Sequence, residues 1–239
     1  MRIGEAALMR ELLKLALVLT ALLITSTSAD AARPATPAQG ELVAGTATVV
    51  DGDTIMIGTT RIRLEGIDAP EGAQTCTSAT GATYPCGLAA TRALDSLVAN
   101  IEVRCEHRGN DKYGRMLGVC FAGDRDINAE MVRSGHAWAF VRYSTAYAAV
   151  EAEAKAAARG IWQGAATPAW DFRAARWASA ETAHPGACVI KGNVTRGGLI
   201  YHMPWSPWYE KIRMDDTRKR WFCTEAEAMA AGWRPAMVR

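Results

Sequence analysis

At 239 residues the chain is long enough for one or two domains, and with 49% hydrophobic and 22% charged residues it has the ordinary make-up of a globular protein. Its 27 Lys and Arg against 25 Asp and Glu leave a formal net charge of +2, which excludes a chain that gathers a polyanion through one broad positive field. The balance is uneven: residues 42–164 carry 12 basic and 14 acidic side chains, residues 165–239 carry 11 and 7.

In chain order, Arg2, Arg10 and Lys14 precede an uncharged apolar run from Leu15 to Ile24, and small residues follow to Ala31. The run is short for a membrane span, and the sequence of basic flank, apolar centre and small-residue exit predicts a secretory signal over 1–31. Cleavage is expected after Ala29 or Ala31, with an uncleaved anchor as the alternative. Residues 32–41 read as a flexible leader. The expected location is therefore secreted or periplasmic, with no membrane attachment once the signal is gone.

Leu42–Val50, Thr54–Ile57 and Arg61–Ile67 are predicted strands, rich in Val, Ile, Thr and Leu. The first two flank Asp51-Gly52-Asp53, a hairpin signal in which the glycine is expected to supply a positive φ. Asp53 then stands at the foot of one strand, with Asp68 and Glu71 at the end of another beside the stiffening Pro70. Leu88–Val98 has apolar residues at helical spacing, with Asn100 suited to end it. Ile101–Cys105 and Met116–Phe121 are strands flanking the turn Asp111-Lys112-Tyr113-Gly114-Arg115. A short helix opens at Asp126-Ile127-Asn128 and closes at Gly135, and Ala146–Arg159 is a helix stopped by Gly160. A further helix is expected over Ala169–Ala180. The Thr224…Glu227 capping box predicts helix over Glu225–Ala231. Pattern alone leaves this as an α+β chain, mainly β.

All six cysteines follow the signal, and an even count in an exported chain favours disulfides. No CxxC occurs. Local structure suggests Cys105–Cys120 across a hairpin, Cys76–Cys86 around the Gly/Thr/Ser-rich insertion after Glu71, and Cys188–Cys223 in the tail, one of fifteen pairings possible. His107, His136, His184 and His202 are scattered, and neither a Ser/His/Asp set nor a phosphate-binding glycine loop is present.

The segments DGDT (51–54), RLEGIDAPE (63–71) and DKYGR (111–115), in that order, make the chain resemble the staphylococcal nuclease (thermonuclease) family over roughly Val43 to Gly164. The resemblance implies a five-stranded OB-fold barrel with about three helices over 42–164, a linker or helix over 165–187 and a small disulfide-held module over 188–239. The tail resembles modules that follow bacterial nuclease domains. It further implies a calcium-dependent nuclease acting on DNA or RNA as a monomer. Asp53, Asp68 and the Ala69 carbonyl would hold Ca²⁺, because all-oxygen donors suit a hard cation. Arg63 and Arg115 would grip phosphate oxygens. Glu71 would orient or deprotonate the attacking water. Lys112, Tyr113 and Tyr143 would contact the substrate.

Taken singly each feature has a plainer reading: DGDT as a turn, DAPE as a loop, Arg63 as a solvated strand residue, DKYGR as a hairpin tip. Their joint occurrence favours the site. Two rival functions are an inactive OB module that only binds nucleic acid and an envelope-interaction protein using the aromatic tail.

Overall fold

The computed structural model describes residues 40–184 and 186–237. The signal segment, and the leader as far as residue 39, lie outside the described residues. Among the described residues no helix is long and apolar enough to cross a membrane.

β1 (Leu42–Asp51), β2 (Thr54–Ile57) and β3 (Thr60–Leu64) form an antiparallel meander. β7 (Glu102–Asn110) pairs with the first half of β1, and β8 (Met116–Ala122) returns antiparallel to it. β8 also runs parallel to β3, with Ile62 opposite Met116, which closes a five-stranded barrel of the OB type. Burial follows the period of two. In β8, Met116, Gly118, Cys120 and Ala122 face inward, and in β3 Ile62 and Leu64 do, which leaves Arg61 and Arg63 on the outer face.

Three helices complete this part. α1 (Cys86–Val98) turns Ala90, Leu94 and Val98 onto the barrel, each burial of a large aliphatic side chain contributing about 1.5–3 kcal/mol. α2 (Ile127–Arg133) is capped by Asp126, whose carboxylate accepts the Ala129 N–H, and buries Ile127, Met131 and Val132. α3 (Ala148–Ala156) follows; the short strands β5 (Cys76–Thr77) and β6 (Thr83–Tyr84) pair within the insertion after Glu71, and β9 (Arg125–Asp126) pairs with β8. All three expected disulfides are present.

Three expectations are corrected. Arg61–Ile67 is not one strand: β3 stops at Leu64, Gly66 turns the chain at φ 74°, and β4 (Ile67–Asp68) pairs instead with β10 (Trp138–Ala139). Gly52 is not among the positive-φ residues; it is small because a Cβ there would lie 2.8 Å from that of Ala69 and 2.9 Å from that of Ala90. The strand begun near Ile101 runs on to Asn110 through a bulge between His107 and Gly109.

Beyond the barrel, α4 (Ala169–Ala183) leads to a four-stranded sheet in the order β13 (Lys219–Phe222), β11 (Ile190–Thr195), β12 (Gly198–His202), β14 (Arg234–Pro235). α5 (Glu225–Ala230) is capped by Thr224, which accepts the Glu227 N–H, while Glu227 reaches back to the Cys223 N–H rather than to that of Thr224. Ile190, Tyr201, Phe222, Ala228 and Trp233 form the small core of this sheet.

Candidate active site

The outer face of β3 and the turn after β1 place Arg63 beside Asp53. Arg63 Nη1 donates to Asp53 Oδ1 at 2.6 Å and Nη2 to Asp68 Oδ1 at 2.8 Å, so one guanidinium joins two acids from different turns. Asp53 Oδ2 accepts the Ala69 N–H at 3.1 Å, tying the β1–β2 turn to the loop that carries Pro70 and Glu71. Asp68, held by the β4–β10 pair, is wholly buried. Gln74 pins the loop from the other side: its side-chain oxygen accepts the Glu71 N–H, its own N–H donates to the Glu71 carbonyl, and its side-chain nitrogen donates to the Thr167 carbonyl.

At the far side, Asp111 organises the DKYGR turn by accepting the Tyr113 and Arg115 N–H groups and the Arg115 Nε at 2.6 Å. Lys112 and Arg115 both lie over the Tyr113 ring, 4.8 and 5.4 Å from its centre. Tyr143 is 72% exposed and packs against Phe140. Of the nine residues expected at the site, Asp53, Arg63, Ala69, Glu71, Lys112, Tyr113, Arg115 and Tyr143 line a single cleft of about 760 Å³, and Asp68 lies beneath it. The opposite wall comes from the tail and includes Met203, Trp205 and Trp208.

The sequence reading missed Arg173. From α4, its Nη1 and Nη2 donate to the two oxygens of Asp68 at 3.0 and 2.7 Å, and Nη1 also donates to Glu71 Oε1 at 2.7 Å. Three acids against one neighbouring arginine left the cluster two positive charges short, and that shortfall was the available signal. Asp51 and Gln74 were also unremarked as parts of the site.

Electrostatics follow from this arrangement. Burial pushes Asp53 up, but the Arg63 guanidinium and the Ala69 N–H outweigh it and hold the carboxyl below its usual range. Burial, with the charge of Asp53, lifts Asp51 to about 6. Burial lifts Glu71 to about 8 against the pull of Arg173. Burial also works against the charge on Arg63 and Arg173, and the carboxylates more than offset it, raising both.

The donor chemistry fits a hard divalent ion, because Asp53 and Asp68 offer the carboxylate oxygens that Ca²⁺ takes; here both are paired with the Arg63 guanidinium. As the side chains stand, no three acidic, His or Cys groups among the described residues converge as a metal cradle. Both Asp68 oxygens are engaged by Arg173.

Residues 61–164 match the family described as "Staphylococcal nuclease homologue". The chain is 41% identical over 152 residues to the succinoglycan biosynthesis protein ExoI of Rhizobium meliloti (strain 1021), covering 61% of this chain and 73% of that one. It is 38% identical over 133 residues to an uncharacterized endonuclease of Escherichia coli O157:H7, covering 52% and 80%. To a micrococcal nuclease of Shigella flexneri it is 34% identical over 145 residues, covering 53% and 78%. With the closed barrel and these matches together, the chain belongs to the staphylococcal nuclease family and is, as an enzyme, a nuclease.

Proposed function

We propose that this nuclease is an exported, calcium-dependent phosphodiesterase that cleaves DNA or RNA in the cleft between the barrel and the tail. The observation that supports it is the convergence of Asp53, Arg63, Glu71 and Arg115 on one cleft in a member of a nuclease family. Asp53, Asp68 and the Ala69 carbonyl are the proposed Ca²⁺ donors, and a bound cation would supply charge neutralisation at the scissile phosphate. Arg63 and Arg115 hold phosphate oxygens, where planar guanidinium groups suit two-point contact.

Glu71 orients the attacking water and accepts its proton. The water oxygen forms a bond to phosphorus as the bond to the 5′ oxygen breaks; the 5′ oxygen departs as a hydroxyl with a proton taken from solvent, leaving a 3′-phosphate. Burial that lifts the Glu71 carboxyl to about 8 makes it a stronger base than an ordinary carboxylate once ionised, so cleavage should rise with pH through that range. Tyr113, Tyr143 and Lys112 contact the strand beyond the reacting phosphate. The three disulfides support an oxidising compartment, as a signal over 1–31 would provide. We take 42–164 as the nuclease domain, 165–187 as the linker and 188–239 as the appended module.

The test is cleavage of single-stranded and duplex DNA and of RNA with Ca²⁺, with Mg²⁺ and with chelator. Activity that depends on Ca²⁺ and falls with both Asp53→Ala and Glu71→Gln is expected. Undiminished cleavage by both variants, or by chelated wild type, overturns the assignment, and 5′-phosphate ends overturn the direction of bond breakage.

A further inference from the structure

Among the described residues, Arg173 is the one charged group in the cluster that comes from outside the barrel, 105 residues along the chain from Asp68. Its two terminal nitrogens fork across both Asp68 oxygens, and one of them bridges on to Glu71. This is the geometry in which a guanidinium binds a carboxylate best. Asp68 Oδ1 accepts from both Arg63 and Arg173, which uses both of its lone pairs.

The placement is not an accident of a free side chain, because α4 is anchored at both ends. Near its start Trp170 stacks on Phe140, with centroids 5.4 Å apart and planes 13° from parallel. Ala169 is fully buried in the cluster with Trp138 and Ile161. Further along, Arg176 donates to Glu210 at 3.0 Å, and Trp177 packs into the cluster of Val189 and Tyr209. The helix therefore delivers a fixed positive charge to Asp68, one of the carboxylates that would hold a divalent cation. A cation on Asp68 would stand within a few ångströms of that guanidinium, and in a partly buried site their repulsion is weakly screened.

We propose that Arg173 is a tethered internal cation that competes with the divalent ion for Asp68, so that its withdrawal sets the affinity of the cation site. The inference rests on the calcium reading above. By linkage, any ligand that draws Arg173 away, a substrate phosphate included, tightens cation binding by the same factor that the cation favours that ligand. Arg173 is in this sense a positioning residue, acting through Asp68.

The test is isothermal titration of the full-length mature protein with CaCl₂, comparing wild type with Arg173→Met, Arg173→Lys and, as control, Arg176→Met. Arg176 loses the same charge one turn along but pairs with Glu210, away from the cluster. The expected result is Ca²⁺ binding at least 10-fold tighter in Arg173→Met and several-fold tighter in Arg173→Lys, with Arg176→Met within about 2-fold of wild type. A gain in affinity is not what damage to the fold produces. Should Arg173→Met fail to fold, the comparison of Arg173→Lys with wild type decides. Equal or weaker binding in the Arg173 variants overturns the proposal, as does an equal gain in Arg176→Met. Absence of Ca²⁺ binding in every protein overturns the calcium reading itself, and the inference with it.

Discussion

Single atoms decide whether the acid loop stands where it does. Gly87, in the first turn of α1, lies directly against the loop, and a Cβ there would run into the Glu71 carbonyl. Gly87→Ala should therefore push Glu71 out of place, costing about 1–3 kcal/mol in stability as overpacking does. It should also lower kcat more than it raises KM. Thermal melts with steady-state kinetics check both, and unchanged kcat would mean the loop adjusts without moving the carboxylate. Glu71→Gln is the chemical counterpart. It keeps shape but removes proton acceptance, so kcat should fall by at least about 10²-fold with substrate affinity nearly unchanged.

At the level of elements, Cys76–Cys86 joins the insertion after Glu71 to the first residue of α1. The bridge restricts the unfolded chain locally and holds the same loop that Gln74 pins. Replacing both cysteines by serine should cost about 2–3 kcal/mol and reduce activity at temperatures well below the melt. The tail sheet carries a different sensitivity. His202 at the end of β12 is buried beside Lys191, and burial first and that charge second hold its imidazole down at about 4. A neutral buried histidine binds fewer protons folded than unfolded, so stability is full above about 6.5 and falls as pH drops from there to 4. Tryptophan fluorescence followed through acid titration should show this slope in wild type. His202→Gln should flatten it.

Across the whole molecule, charge and surface are divided between the two halves. Residues 42–164 carry two more acidic than basic side chains, while residues 165–239 carry four more basic than acidic, so attraction of a polyanion falls to the tail. The structure sets that tail against the cleft, with Trp205 and Trp208 on its wall. Tyr209, by contrast, is buried in the tail's own packing, its ring beneath the Lys191 ammonium at 4.2 Å. Lys211 and Arg213 follow on the exposed side. Replacing both with glutamate should raise KM for long DNA at low salt and flatten the salt dependence of binding, leaving kcat near wild type. Identical salt slopes for the two proteins would make the tail's charge irrelevant to capture.

What the sequence determined by itself was local. The acids and arginines of DGDT, RLEGIDAPE and DKYGR were legible as candidates because each motif is a turn or strand end whose residues stand within a few positions of one another. Cys105 and Cys120 were legible as partners because a hairpin brings its flanks face to face. The break at Gly66 was missed because an apolar-rich run hides one glycine at φ 74°. Tertiary structure alone decided that Arg173 reaches Asp68 and that Trp205 and Trp208 line the same cleft as Asp53 and Glu71. A single arginine on an Ala-rich helix carries no periodic or spacing signal. Its partner is chosen by how α4 seats between Phe140 and Tyr209, a contact set spread over the length of the chain.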